Sequence, residues 1–360
     1  MIRRGRAGVR ILLIGGGVHP IPPTGYGAIE RILADLQAAL VAAGEEATIV
    51  NRVRHRRMRD EYPFARELPR LLAQESYDVL HANTPVVANR LAGRHLPYVY
   101  TSHSRHWYYR DRLSHRWGYF LERRAVRRAT AAIALTAPLR ATMERVVRPP
   151  LPPISVIPFG VDPARFRPSW DRRTGRLALG VGVVAPFKRW ELAARALRGT
   201  GLSLRIAGPI ASPEYAERVR AAGDRVTLLG EVPNEELERL FAESDLLVHP
   251  SAVEILSATV LEALAAALPV LGGTSVDGVV DDGVTGWVER ATSPESLVVG
   301  LHDKASRLAR DDGLRRQMGE AARSVALDRY SWAKVVARHL EVYRAVAGGT
   351  GSRGAGRPPR

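Results

Sequence analysis

The stretch VTLLGEVPNEELERLFAESDLLVHPS, residues 226–251, joins an apolar strand pattern, an amphipathic helix pattern and a second apolar strand pattern. Such units predict parallel strands connected by helices that cover the faces of a sheet. The same alternation of strand and helix patterns extends from VRILLIGGG at residues 9–17 to GWVE at residues 286–289. It forms two successive sets of strands and helices. The chain is therefore predicted to be an α/β protein with two Rossmann-like domains. Because open parallel sheets bind ligands at the carboxyl ends of their strands, we expect the two domains to face each other across a cleft.

The domain boundary is predicted in RPPLPPISVIPFGVDPARFRPSWDRRTG, residues 148–175, which is rich in proline and poor in helix signals. We place an N-terminal domain at residues 1–165 and a C-terminal domain at residues 166–330. A helix is expected over residues 331–347. Residues 348–360 are rich in glycine, proline and arginine, and we expect them to form a disordered tail.

Composition limits the classes of protein to which the chain can belong. Its 360 residues are enough for two domains, and a hydrophobic content of 46% fits a soluble globular protein. The sequence lacks cysteine, which excludes disulfides, zinc–thiolate sites, iron–sulfur clusters and thiol catalysis. No apolar run reaches the roughly 18 residues of a membrane span, and the first one is too short for a secretory signal, so we expect a cytoplasmic protein.

Positive charge is concentrated in the first part of the chain. Residues 1–150 hold 25 Lys and Arg against 12 Asp and Glu, whereas residues 151–360 hold 28 against 25. The excess is greatest in SRHWYYRDRLSHRWGYFLERRAVRRATA, residues 104–131, where arginine alternates with aromatic residues. This stretch suits nucleic acid or an anionic membrane as a partner, and it is equally consistent with a solvated arginine-rich surface.

Two acids flank an otherwise apolar run in VEILSATVLEALAAALPVLGG, residues 253–273. The run follows a predicted strand and begins a helix near Ser257, whose free N–H groups would suit phosphate oxygens. Glu254 is predicted in the loop before this helix and Glu262 in its first turns. For Glu262 a second interpretation is equally open, because Thr259 and Glu262 have the spacing of a capping box.

Three further features lie where predicted strands end. Lys188 follows the first strand of the second set, and it is either a phosphate-binding cation or a solvated turn lysine. The glycine-rich segment at residues 15–33 is either a ligand-binding loop or a tight turn that leads into a helix. His103 follows a strand and, taken alone, is more typical of a structural histidine.

The spacing of Glu254 and Glu262 resembles the E-x7-E signature of retaining glycosyltransferases with the GT-B fold, in particular family 4. Six further segments follow the order usual in that family, and the resemblance extends from about residue 10 to residue 347. These segments are DVLHANTPVVANRLAGRHLPYVYTSHS, VIPFGVDPARFRP, VTLLGEVPNEELERLFAESDLLVHPS, LEALAAALPVLGG, DGVTGWV and YSWAKVVARHLEVY.

The resemblance implies roles for residues in the second domain. Glu254 is expected to bind hydroxyls of the donor sugar, and Glu262 the ribose hydroxyls of the nucleotide, because a carboxylate accepts two hydrogen bonds from a vicinal diol. The backbone N–H groups of Ile255, Leu256 and Ser257 would meet the diphosphate. The family usually has Phe-Gly after the first glutamate, and this chain departs from that pattern.

Lys188 matches the family lysine that neutralises the leaving diphosphate, where bond cleavage builds negative charge. Val183 occupies the place where the family usually has a second cation, an arginine. Arg189 is the candidate that could replace that missing charge.

In the first domain, the resemblance implies that Gly25 and Gly27 line the cleft near the diphosphate. It also implies that His103 reaches the donor sugar near the reacting carbon. Neither a metal ion nor a cofactor is expected, because the sequence has no convincing metal-ligand spacing.

The resemblance thus implies a retaining hexosyltransferase that moves a sugar from a nucleotide-diphosphate sugar to an acceptor hydroxyl. Cell-envelope glycan or glycolipid synthesis is its candidate setting, and the helix over residues 331–347 would cross back to the N-terminal domain. Two alternatives stay open. One is a basic, non-catalytic nucleic-acid- or membrane-binding protein, and the other is a different nucleotide-sugar enzyme such as an epimerase.

The expected partners are a nucleotide sugar and a sugar or lipid-linked acceptor. The charge distribution adds an anionic membrane surface as a hypothesis, with peripheral binding to the inner face of the cell membrane. Nucleic acid is not expected as a partner.

Overall fold

The computed structural model describes residues 8–23, 27–53, 61–103, 105–108 and 115–350. These residues divide into two compact units. The first contains the described residues up to Gly160 together with those from Trp332 onward, and the second is Val161–Ser331. Every helix within the described ranges is too short or too polar to span a membrane.

The first unit is built on six parallel strands. They are β1 (Arg10–Ile14), β2 (Glu46–Val50), β3 (Val79–Ala82), β4 (Val99–Ser102), β5 (Ala131–Ala134) and β6 (Ile154–Val156). The connecting helices are α1 (Ala28–Ala42), α2 (Glu61–Leu72), α3 (Pro85–Ala92), α4 (Arg116–Arg128) and α5 (Ala137–Val146). The strand order is β2-β1-β3-β4-β5-β6. Strands β3, β4 and β5 are buried along their whole length, as expected for a sheet covered on both faces.

The second unit repeats this architecture. Its strands are β7 (Leu177–Val181), β8 (Ser203–Ala207), β9 (Val226–Gly230), β10 (Leu246–His249), β11 (Val270–Gly273) and β12 (Gly286–Glu289). Its helices are α6 (Trp190–Leu197), α7 (Pro213–Ala222), α8 (Asn234–Glu243), α9 (Ala258–Ala265), α10 (Pro294–Arg310) and α11 (Asp312–Arg329). The strand order is β12-β11-β10-β7-β8-β9, again with all pairs parallel.

The last helix, α12 (Trp332–Thr350), belongs to the first unit. Its apolar side chains Val335, Leu340 and Tyr343 are buried in the same core as the strands of the first sheet. The helix continues past the buried Val346, so residues 348–350 are helical and do not belong to a disordered tail as predicted. The rest of that predicted tail lies outside the described residues.

The units divide after Gly160 and after Ser331, whereas the sequence patterns placed the boundaries after residues 165 and 330. The difference has a local cause that a pattern does not reveal. The N–H of Val161 donates to the carbonyl of Tyr330 at 2.8 Å, and Val161 pairs with Ser331 in a parallel bridge. These contacts bring the start and the end of the second unit together.

A buried polar cluster joins β3, β4 and α12 within the first unit. The two ring nitrogens of His81 lie 2.7 Å from the Tyr343 hydroxyl and 2.7 Å from Thr101 Oγ1, so one nitrogen donates and the other accepts. The His339 ring packs against the rings of His81 and Tyr343, and its Nδ1 lies 2.9 Å from the Val335 carbonyl oxygen. Burial lowers the pKa of His81 well below its ordinary value and lowers the pKa of His339 to about 4.

We predict that acid destabilises the first unit well above the pH at which carboxylates titrate. The folded pKa values of His81 and His339 lie below the unfolded value of about 6.5, so the unfolded chain binds more protons as the pH falls through 6.5 towards 4. The free energy of unfolding should therefore drop between pH 7 and pH 5, by about 2 kcal/mol for His339 alone. Urea unfolding at the two pH values measures the drop.

The matched variant is His339→Gln, which removes one titrating ring and keeps a hydrogen-bond donor. Its drop between pH 7 and pH 5 should be smaller than that of the wild type. Equal drops in the two proteins would show that His339 does not remain neutral in the folded state.

Candidate functional site

The second sheet has its topological switch point between β7 and β10. The first strand of the unit, β7, pairs with β10 on one side and with β8 on the other. The connections that follow β7 and β10 therefore run in opposite directions from two neighbouring strands. Ligands of open α/β sheets bind at the carboxyl ends of the strands at such a point. The two loops that leave there, after β7 and after β10, contain Lys188 and Glu254.

The loop after β7 directs Lys188 inward. Residues Pro186–Lys188 form a short 3-10 turn, and Arg189 has a left-handed backbone with φ of 57°. This conformation lets α6 begin at once with Trp190, whose side chain is fully buried and donates through Nε1 to the Val183 carbonyl. The side chain of Lys188 is only 13% exposed, so it is not a solvated turn lysine.

Lys188 and Glu254 form an ion pair across the switch point. Lys188 Nζ donates to Glu254 Oε1 at 2.6 Å, and the Ala252 N–H donates to the Phe187 carbonyl at 3.2 Å, which joins the two loops. Burial alone would raise the pKa of Glu254, but the neighbouring His249 and Lys188 outweigh it and lower the pKa to about 2. Glu254 is therefore ionised at neutral pH.

His249, the last residue of β10, completes this group. It is fully buried, and its Nε2 lies 3.6 Å from Glu254 Oε1, beyond hydrogen-bond distance. Neither of its ring nitrogens has a hydrogen-bond partner among the described residues. Burial lowers the pKa of His249. His249 was not predicted from the sequence, although its place at the carboxyl end of a buried strand was a usable signal.

The N-terminus of α9 lies directly after Glu254. Ser257 is the N-cap residue, and its side chain makes no capping hydrogen bond, so N–H groups of the first turn are not satisfied by this side chain. Ile255 and Ser257 are buried and Leu256 is half-buried. Because the helix begins at Ala258, Thr259 lies inside it and cannot cap it, which rules out the capping box proposed for Glu262. Glu262 is half-buried in the second turn of α9.

Arg189 lies beside Lys188 and is half-buried. It forms no ion pair with any residue that the structure describes. Val183, at the place of the family arginine, contributes only its carbonyl, which accepts from Trp190. Within this loop Arg189 is therefore the cation still available for a ligand.

In the first unit, His103 follows β4 and Asn83 follows β3. The amide of Asn83 donates through Nδ2 to the His81 carbonyl, so its Oδ1 accepts from His103 Nε2 at 3.2 Å. Burial, with a smaller contribution from His339, lowers the pKa of His103 to about 4, and the ring is neutral at pH 7. His103 was predicted from the sequence, whereas Asn83, which bonds to it, was not.

The glycine-rich loop after β1 is only partly described. Gly27 lies at the start of α1, where an added Cβ would come 2.9 Å from Pro23 Cβ and 3.2 Å from Glu30 Oε2. Any larger residue would crowd both neighbours. Gly25, the other glycine predicted to line the site, lies outside the described residues.

Each of the two units matches a model of a known protein family. Residues 15–165 match the family model described as Glycosyltransferase Family 4, and residues 181–311 match the model described as Glycosyl transferases group 1. The chain is 28% identical over 321 residues to an alpha-maltose-1-phosphate synthase of Mycobacterium tuberculosis, covering 76% of this chain and 80% of that protein. It is 32% identical over 269 residues to a 2-deoxystreptamine N-acetyl-D-glucosaminyltransferase of Streptomyces fradiae, covering 69% of this chain and 63% of that protein.

Solved structures share the fold. A sucrose-phosphate synthase of Thermosynechococcus elongatus superposes with a TM-score of 0.80 at 18% identity, covering 95% of this chain and 100% of that chain. HepE of Anabaena, solved in complex with UDP and glucose, superposes with a TM-score of 0.73 at 17% identity, covering 94% and 100%. The predicted GT-B fold and the family resemblance are confirmed.

We predict that Lys188 and Glu254 are energetically coupled. Lys188→Met leaves the largely buried carboxylate of Glu254 without its closest partner. The substitution should therefore destabilise the wild-type protein more than it destabilises the Glu254→Gln variant. A double-mutant cycle on urea unfolding should give a coupling free energy of about 1–3 kcal/mol. A coupling near zero would contradict the ion pair.

Proposed function

Because the chain belongs to the family 4 glycosyltransferases, we propose that it transfers a sugar from a nucleotide-diphosphate sugar to an acceptor hydroxyl with retention of the anomeric configuration. The observation that carries this proposal is the Lys188–Glu254 pair beside the N-terminus of α9, at the switch point of the second sheet. The HepE structures with UDP-glucose and with UDP and glucose support a nucleotide sugar as the donor.

The proposed chemistry requires positive charge where the diphosphate leaves. The bond between the anomeric carbon and the β-phosphate oxygen breaks, and the acceptor oxygen bonds to that carbon on the same face. The acceptor proton passes to the departing phosphate. Lys188 and the N–H groups at the start of α9 would stabilise the growing negative charge, with Arg189 as a second cation. No metal ion or cofactor is needed for these steps, so we propose a metal-free reaction.

The remaining predicted residues would bind and orient the donor. Glu254 accepts hydrogen bonds from sugar hydroxyls, Glu262 from ribose hydroxyls, and neutral His103 contacts the sugar near the reacting carbon. Lys188 Nζ donates to Glu254 Oε1 at 2.6 Å. Donor binding would therefore give Lys188 a new partner in the diphosphate while Glu254 turns to the sugar.

The comparisons do not favour the two alternatives, a non-catalytic binding protein and a different nucleotide-sugar enzyme such as an epimerase. Matches to glycosyltransferases extend over both units, and they include the residues on which the donor site is proposed.

We predict that Lys188→Ala lowers kcat for sugar transfer by about 100-fold or more, because a group that stabilises charge in the transition state is lost. Donor turnover is measured over a panel of UDP-, GDP- and ADP-sugars, and the anomer of the product is read by NMR. Chelators should not change the rate of the wild type.

The matched control is Lys304→Ala. Lys304 is also a partly buried lysine of the second unit paired with a glutamate, Glu289, but it lies on α10 away from the switch point. Its kcat should stay near that of the wild type. Equal losses in the two variants would remove Lys188 from the proposed mechanism, and an inverted product would refute retention.

We further propose that the acceptor is a sugar or a lipid-linked molecule and that the basic first unit binds an anionic membrane surface to reach it. Two aromatic side chains on α4 support this. Trp117 is 61% exposed and Phe120 50% exposed, and their rings stack with centroids 5.6 Å apart. Exposed aromatic rings among arginines are typical of helices that lie at a membrane interface.

We predict that the protein sediments with anionic liposomes and not with neutral ones, and that high salt weakens this binding. The double variant Trp117→Ser, Phe120→Ser keeps the net charge and should bind less because the apolar contribution is lost. Equal binding to anionic and neutral liposomes would contradict the membrane proposal and leave the sugar-transfer proposal untouched.

A further inference from the structure

The exposed face of α4 carries arginines and aromatic residues but no acid. The one acid of this helix, Glu122, is fully buried and accepts from the Tyr100 and Ser102 hydroxyls through Oε2. The exposed residues are Arg116, Trp117, Phe120, Arg124, Arg127 and Arg128. Glu122 is therefore turned away from the guanidinium groups on the opposite side of the helix.

Four arginines converge on one cavity between the ends of α4 and α5. The cavity has a volume of about 530 Å³ and is lined by Tyr119, Arg123, Arg127, Arg145, Val146 and Arg148. We call it the arginine pocket. The guanidinium of Arg123 lies over the Tyr119 ring at 5.8 Å, and its buried Nε has no hydrogen-bond partner among the described residues.

None of these four arginines pairs with a carboxylate in the part of the chain that the structure describes. Arg140, also on α5, shows the contrast, because it donates to Glu144 at 2.8 Å. Four like charges around one cavity repel each other, and an anion in the cavity would relieve that repulsion. The planar guanidinium group matches the oxygens of a phosphate and can bind two of them at once.

The arginine pocket lies between α4 and α5 and shares no lining residue with the candidate site. Because α4 follows β4 and precedes β5, it begins at the carboxyl ends of the strands, where His103 lies, and ends at their amino ends. Arg123 is the eighth of the 13 residues of α4, Arg127 is in its last turn, and Arg145 is in the last turn of α5. The lining thus extends from Tyr119, in the first turn of α4, to the ends of α4 and α5, and it includes none of the residues proposed to bind the donor.

We propose that the arginine pocket binds a phosphate group, carried either by a phospholipid headgroup or by a soluble phosphate ester. The cavity has room for a phosphate and the group that bears it. Nucleic acid fits less well, because a polyphosphate backbone requires a track of cations and these four surround a single cavity. The bound phosphate would anchor the first unit and would take no part in sugar transfer, so the proposal does not rest on the proposed reaction.

Two double variants distinguish binding in the arginine pocket from general attraction to the positive charge of α4 and α5. Arg127→Gln with Arg145→Gln removes two guanidinium groups from the pocket, and Arg124→Gln with Arg128→Gln removes two from α4 outside it. Both change the net charge equally. Binding is measured for inorganic phosphate by calorimetry, and for vesicles with and without phosphatidic acid by sedimentation. Donor turnover is measured in parallel.

The pocket variant should bind its ligand about 100-fold more weakly, roughly tenfold for each charged hydrogen-bonding group lost, and the other variant should bind nearly as the wild type does. Loss confined to the vesicles identifies a lipid headgroup, and loss with inorganic phosphate identifies a soluble source. Equal weakening in the two double variants would overturn the proposal, and so would the absence of binding to phosphate and to vesicles. Preferential binding of RNA that both double variants weaken equally would also overturn it. Donor turnover should be unchanged in both double variants. If the wild type and both double variants all fail to turn over a donor, that result would count against sugar transfer and not against the arginine pocket.

Discussion

In each sheet the strand order reverses beside the first strand, and in the second unit the candidate site depends on this reversal. In the second unit it places β10 next to β7, so that Lys188 and Glu254, 66 residues apart in sequence, leave the sheet side by side. In the first unit the reversal places β3 next to β1, and the pairing of β4 with β3 brings Asn83 to His103. Parallel pairing with right-handed crossovers is enough to produce both arrangements.

The ion pair at the second switch point explains the shape of the loops around it. A carboxylate as buried as Glu254 is stable only with close cationic partners, and Lys188 can reach it only if the loop after β7 turns back at once. The left-handed backbone of Arg189 makes that turn and starts α6, which buries Trp190. That conformation costs on the order of 1 kcal/mol for a residue other than glycine, and the burial of the tryptophan ring more than offsets it.

The sequence predicted the features that depend on local pattern and missed those that depend on pairing. Alternating strand and helix signals were sufficient for two parallel sheets, and the position of Glu254 after a buried strand was sufficient to select it. The partnership of Glu254 with Lys188 required the strand order, which no local pattern contains. The same holds for the unit boundary, which the hydrogen bond from Val161 to Tyr330 sets, and for Asn83. The capping interpretation of Glu262 failed because the helix begins at Ala258, two residues earlier than that interpretation needs.

Charge is distributed unevenly over the first unit, and this bears on the division of labour proposed between the units. At the carboxyl edge of its sheet, His81, His103 and His339 are kept neutral by burial. The arginines that line the pocket lie on α4, at the end of α5 and just after α5. Because these histidines carry no positive charge at neutral pH, the proposed stabilisation of a leaving diphosphate rests on Lys188, Arg189 and the start of α9 in the second unit.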